Sequence, residues 1–320
     1  MKKLGFSRYA LSAGLSIALL VGCSGSPTSN PTSEGSVYDK SLEGAAAHIL
    51  ARRDSNPNVL YVAGNNEIGI FPLHRNEPQL GTINAGIDGP HGLYVDSSNT
   101  LYVANSDNST VTVYPFGATY PSATYSQDLD GPQFPTVDNN GDLFVSNLNG
   151  TVVEYPPGST YPSQVLYMPN NPKGYAAHGI AVDQQGNLYV TYQTDATNYN
   201  DPIAEFAAGS TQGVDLGIVL HRAEGLFVDN SGNIIGETPE GNVNLLEVFP
   251  PGATSPSVTI QFADRSRPTQ VAMQQDEQKL YVSAGLENVF AGPYPLTGTR
   301  PPKFDTISSG VSGIAVTSVK

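Results

Sequence analysis

From about residue 57 to the end of the chain, short apolar runs alternate with polar turns, and the alternation keeps the period of two that marks half-buried strands rather than the 3.6 period of a helix. Residues 89–125 hold the clearest unit. Gly92-Leu93-Tyr94-Val95 reads as a first strand, and Asp96-Ser97-Ser98-Asn99 as a turn of residues that tolerate left-handed geometry. Leu101-Tyr102-Val103 is a second strand, a polar loop runs from Asn105 to Ser109, and Val111-Thr112-Val113-Tyr114 is a third. Pro115-Phe116-Gly117 then turns the chain toward an outer strand.

The second strand recurs as Leu60-Tyr61, Leu101-Tyr102, Leu143-Phe144, Leu188-Tyr189, Ile234-Ile235 and Leu280-Tyr281, at spacings of 41, 42, 45, 46 and 46 residues. Periods in the forties filled with short strands predict propeller blades of four strands each. The units fall at 88–128, 130–167, 175–219, 221–261 and 265–307. An N-terminal piece, 57–83, lacks a first strand, and the tail Gly310 to Val316 reads as a first strand with nothing after it. Joining the two predicts an all-β, six-bladed β-propeller whose ring is closed by the C-terminal strand pairing with the N-terminal blade, which hides edges otherwise open to aggregation. A rival first strand at Ala47 to Leu50 is disfavoured, because Arg52 and Arg53 would fall where other blades bury apolar residues.

The N-terminus has a different character. Lys2, Lys3 and Arg8 precede an apolar run, Tyr9 to Val21, too short for a permanent membrane span, so residues 1–22 read as a secretory signal. Leu20-Val21-Gly22-Cys23 resembles the lipobox of bacterial lipoproteins, which implies lipidation of Cys23, the single cysteine of the chain. Ser24 after it resembles outer-membrane sorting, so the expected location is the bacterial cell envelope, with the lipid in the outer membrane. Residues 23–56 are then an anchored tether and N-terminal segment, rich in Ser, Pro, Thr and Gly over 24–40, and 57–320 the propeller domain. With that cysteine acylated, no thiol is left for disulfides or metal ligation. Removing residues 1–22 moves the net charge from −14 to −17. A surface that acidic excludes nucleic acid as a partner.

The pattern P-x-G-[IL]-x-V-D-x-x-G-N-L-Y, best matched by AHGIAVDQQGNLY at 177–189, resembles NHL repeats and the propellers of the streptogramin-lyase and gluconolactonase-like families. The resemblance implies the fold and leaves function open, since that frame carries binding scaffolds, lyases and hydrolases. It also implies that the residue before the first-strand glycine lies near the mouth of the central channel. Blade by blade those residues are His91, Gln133, His178, Glu224, Thr269 and Ser312. One reading makes them a polar plug hydrogen-bonded to ordered water. The other takes His91, His178 and Glu224 as an N,N,O set for one divalent ion, zinc or calcium, with a histidine as ligand or base and Glu224 as ligand or acid/base partner.

Stretches just before the first strands add Lys173, Tyr175, His221, Arg222, Arg265 and Arg267, a concentration of base in an acidic chain that suits a carboxylate or phosphate. Blade 4 has the longest insertion between its second and third strands, Tyr192 to Pro202, whose Tyr192 and Tyr199 suit sugar or peptide contacts. Asp96, Asp138, Asp183 and Asp229 sit at first turns on the opposite face and are assigned to turn structure. The chain is thus expected to be a monomeric, lipid-anchored binding or scaffolding module for an envelope protein, a glycan or a small anionic ligand. The alternative is a metal-dependent extracytoplasmic lyase or lactonase with its site at the channel mouth.

Overall fold

The computed structural model describes residues 58–73, 78–197, 199–240, 243–262, 268–274, 276–284, 288–298, 303–306 and 311–317. The segment expected to be a signal, Cys23, the segment expected to be a tether, the rival strand at 47–50, and Arg265 and Arg267 lie outside the described residues.

Every described strand belongs to a four-stranded antiparallel sheet, and there are six such sheets. The first contains β1 (Val59–Gly64), β2 (Glu67–Pro72) and β3 (Gly81–Ile83). Blade 2 is β4 (Pro90–Val95), β5 (Leu101–Asn105), β6 (Thr110–Tyr114) and β7 (Ala123–Tyr125). Blade 3 is β8 (Pro132–Val137), β9 (Leu143–Asn147), β10 (Thr151–Tyr155) and β11 (Gln164–Tyr167). In blade 4 the strands are β12 (Ala177–Val182), β13 (Leu188–Tyr192), β14 (Asn200–Phe206) and β15 (Gly213–His221). Blade 5 comprises β16 (Leu226–Val228), β17 (Ile234–Glu240), β18 (Val243–Phe249) and β19 (Val258–Phe262). Blade 6 comprises β20 (Pro268–Met273), β21 (Lys279–Ala284), β22 (Asn288–Pro293) and β23 (Lys303–Thr306). The last strand, β24 (Gly313–Val316), completes blade 1 by pairing antiparallel with β1, Leu60 opposite Val316 and Ala63 opposite Gly313. The fold is the six-bladed propeller that the repeat predicts, closed by the C-terminal strand.

Thr317 seals this closure: its hydroxyl accepts a hydrogen bond from the Val59 amide at 2.7 Å, and its own amide donates to the Val59 carbonyl at 3.0 Å. It stands where Asp96, Asp138, Asp183 and Asp229 stand in other blades. Each of those aspartates accepts, through Oδ1, two main-chain N–H groups of its own turn, as Asp183 does from Gln185 and Asn187 at 2.9 and 2.8 Å. Their structural assignment holds.

The core is distributed. Six apolar clusters form, each between two neighbouring blades, so every sheet buries both faces against its neighbours. Between blades 3 and 4, for example, Phe134, Phe144 and Val152 meet Ile180, Val190 and Tyr192. Tyr192 is fully buried there as the last residue of β13, which corrects its placement on an exposed loop. Asp201 is also fully buried, as part of β14, so the connection in blade 4 is confined to residues 193–199.

Candidate functional site

The first strands β4, β8, β12, β16, β20 and β24 line the channel, and their two ends differ. At the end where they begin, the strands approach so closely that side chains are excluded. A Cβ on Gly179 would lie 2.6 Å from the Glu224 carbonyl oxygen, one on Gly92 would strike Phe134 and the Gln133 carbonyl, and one on Gly313 would strike the His91 carbonyl. The glycine therefore lets adjacent backbones touch.

The six polar residues expected at the channel mouth stand one position earlier, before glycine in four blades and before Phe134 and Gln270 in the other two. Three are held by neighbours. Gln133 donates to the Gly131 carbonyl at 2.9 Å and the Ser106 hydroxyl at 3.3 Å, the Thr269 and Ser283 hydroxyls share a hydrogen bond of 2.8 Å, and Ser312 donates to the Pro90 carbonyl at 2.6 Å. His91 places Nδ1 3.3 Å from the Gln133 carbonyl, with its ring edge-on to Phe134 at 5.1 Å. Burial pulls its pKa down, partly offset by that carbonyl. His178 is pushed down to about 4, by burial first and then by His91, and its buried Nδ1 has no hydrogen-bond partner. The two imidazoles are therefore neighbours and both neutral. Among the described residues, no group of three or more His, Cys, Asp or Glu side chains stands close enough to hold a metal ion.

Around Glu224 the structure shows what the sequence reading passed over. Two buried carboxylates grip the chain on either side of it: Asp201 Oδ2 accepts the Ala223 amide at 2.8 Å, and Glu237 Oε2 accepts the Gly225 amide at 3.3 Å. Both are raised, Asp201 to about 7, with burial the leading cause and the Glu224 charge adding to it. Glu237 occupies a second-strand position held by Ala63, Ala104, Ser146, Thr191 and Ser283 in the other blades. Arg222 packs its guanidinium 3.8 Å from the centre of the Tyr199 ring, and Tyr175 is fixed by Asn171 through two hydrogen bonds of 2.9 and 2.7 Å. Arg222 is thus stacked on an aromatic face rather than extended toward a ligand.

A cavity of about 540 Å³ opens at the other end, where the first strands run into their turns. None of the six polar residues lines it. Its depth is set by the two blades that depart from glycine in the column Gly92, Phe134, Gly179, Gly225, Gln270, Gly313, for Phe134 and Gln270 both line it. Gln270 reaches from blade 6 to blades 1 and 2: its Oε1 accepts the Ile314 amide at 2.9 Å and the Leu93 amide at 3.2 Å, and its Nε2 donates to the Leu93 carbonyl at 2.5 Å. Leu93, Tyr94, Ile180, Leu226, Phe227 and Ile314 supply its apolar lining, beside polar groups such as Thr136, Gln184, Gln270 and Gln274.

The mouth is acidic. Asp96, Asp138, Asp183, Asp229 and Glu277 line it, and among the described residues no Lys, Arg or His does. Successive turns are tied across blades: Tyr94 hydroxyl to Val137 carbonyl at 3.1 Å, Asn139 to the Gln184 carbonyl at 3.1 Å, Gln184 to Asn230 at 2.5 Å, and the Asn230 amide to Glu277 at 2.6 Å. This end is concave, braced between blades, and among the described residues its charged lining is of one sign. The signal in the sequence was the Phe and Gln in a glycine column, which no residue-by-residue motif reports.

Comparison with known proteins agrees with the fold. The NHL repeat model matches residues 88–114, which span most of blade 2. No curated protein matches the chain by sequence. Among solved structures, hydrazine synthase from Kuenenia stuttgartiensis is similar, with a TM-score of 0.55 and 14% identity over 78% of this chain and 86% of that one. At that identity the similarity speaks to architecture alone.

Proposed function

We propose that this protein is a binding module of the bacterial cell envelope, anchored through lipid on Cys23, which receives a small ligand in the cavity at the turn end of its central channel. The observation that carries the reading is a cavity of about 540 Å³, within the range of small-molecule sites, with a mixed polar and apolar lining that includes five acidic residues and, among the described residues, no basic one. Fields from like charges around a concave opening favour a ligand bearing positive charge and disfavour anions. This moves the expected site away from the His91, Gln133, His178, Glu224, Thr269 and Ser312 ring. It also replaces the anionic ligand with a cationic or neutral one. The propeller supports a scaffolding role equally well at its outer surface, but the cavity is the feature with the shape of a small-ligand site.

The test is a thermal-shift screen of amines, polyols, sugars, short peptides and carboxylates against the full chain and against Ser97→Trp, which places a bulky ring at an exposed position of the mouth. A ligand that stabilises the native chain and leaves Ser97→Trp unmoved supports the site. Equal stabilisation of both proteins by every ligand found would remove the cavity from the argument.

A further inference from the structure

The walls of this cavity are made of sheet edges. Each first strand pairs with its second strand on one side only, so alternate residues turn their amide and carbonyl groups toward the channel. The register identifies which residues these are. Asp96, Asp138, Asp183, Asp229, Gln274 and Thr317 donate their amides to the second strand, at Thr100, Asp142, Asn187, Asn233, Lys279 and Val59. The residues one step earlier, Val95, Val137, Val182, Val228, Met273 and Val316, therefore direct theirs inward, and all six line the cavity. Tyr94 already uses one of these groups, donating to the Val137 carbonyl.

One rung deeper, the structure shows what such an edge binds. The Gln270 amide pairs with Leu93 at two points, accepting from its N–H and donating to its C=O, as a peptide group does in an antiparallel ladder. A side-chain amide thus closes the deep end of the channel by strand-like pairing, while the next rung faces the cavity.

We infer that the cavity binds the end of an extended, positively charged peptide, which adds as a short strand to one of the six inner edges. This rests on the cavity reading above and narrows its ligand class. Recognition divides between two features. Main-chain amides of the peptide pair with the rung at Val95 or its equivalents. Its ammonium or guanidinium groups lie at the mouth among Asp96, Asp138, Asp183, Asp229 and Glu277. From Leu93 to Asp96 the strand advances roughly 10 Å at ~3.3 Å per residue, so about three peptide residues enter. The acidic rim disfavours peptides ending in Asp, Glu or an exposed carboxylate.

The experiment uses the full chain in detergent and pools of acetylated tripeptide amides. Lys is fixed at one position and the others are varied; parallel pools carry N-methylated backbone amides or fixed Glu, and spermidine serves as a charge-only control. Calorimetry should show saturable binding of Lys pools, weakened at least about tenfold by N-methylation, in line with the loss of one or more backbone hydrogen bonds. Binding should also be lost in Ser97→Trp and in the exposed double variant Ser97→Lys/Asn139→Lys. Glu pools should not bind. Spermidine or N-methylated pools binding as tightly as the Lys pools would overturn the peptide inference and leave the cavity reading standing. Absence of any ligand sensitive to Ser97→Trp would sink both.

Discussion

Replacing Gln270 by Met should destabilise the propeller more than replacing it by Ala, although Met preserves more of the side chain. The glutamine satisfies three main-chain groups at the inner sheet edge, the amides of Leu93 and Ile314 and the carbonyl of Leu93. An unsatisfied buried polar group costs about 1–3 kcal/mol. In Gln270→Met the thioether fills nearly the same volume and keeps water from those groups, so the loss is about 4 kcal/mol, toward the lower end of that range summed over three groups. In Gln270→Ala the cavity deepens into the space the amide leaves, water reaches the freed groups, and the loss falls to about 1–2 kcal/mol. At ~2–4 °C per kcal/mol for a chain of this size, Met should lower the melting temperature by roughly 10 °C and Ala by roughly 5 °C. Urea midpoints and calorimetric melting at neutral pH measure both. If Met equals or exceeds Ala in stability, or neither variant loses more than ~0.5 kcal/mol, the amide is not the bridge that closes the channel.

Gly313→Ala should cost about 3 kcal/mol or more, since its Cβ would meet the His91 main chain rather than a yielding side chain, and the urea midpoint reads the loss. His178, held at about 4, binds no proton between about pH 6.5 and 4 while the unfolded chain does; stability should therefore fall by about 2–3 kcal/mol as pH drops through that window. A melting-temperature profile for His178→Gln should lose that acid limb. Asp201, raised to about 7, works in the opposite sense: the folded chain holds the extra proton between about pH 4 and 7, so stability drains away as pH rises through 7. Asp201→Asn should leave melting at pH 5 nearly unchanged and raise it at pH 8 by several degrees; an unchanged profile would refute the buried-carboxyl assignment. Cys23→Ser should abolish labelling by radioactive palmitate and release the protein from the membrane fraction, and persistence of either would remove the lipid anchor.

Blade boundaries, strand order and ring closure were all legible, because a repeat written six times averages away local ambiguity. The aspartates of the first turns were legible for the same reason, each satisfying its own backbone within four residues. Tyr192 and Asp201 were misplaced because burial in a seam between blades depends on the neighbouring sheet, which local polarity does not report. The polar ring was legible as a set of sequence positions, one step before the same column in every blade. Its chemistry was not legible: Gln133, Thr269 and Ser312 spend their hydrogen bonds on main chain and neighbouring side chains that only the closed ring brings near.

The sequence by itself determined that this chain is a closed array of six four-stranded sheets, since strand period, turn residues and a spacing of 41 to 46 residues leave little else to build. Which end of the channel holds this cavity was decided only by the tertiary structure. Six first strands converge on one axis, and whether that axis is open depends on side chains reaching across from other blades. Gln270 meets Leu93, 177 residues away along the chain, and together with Phe134 from blade 3 it bounds a cavity whose lining does not include the histidines.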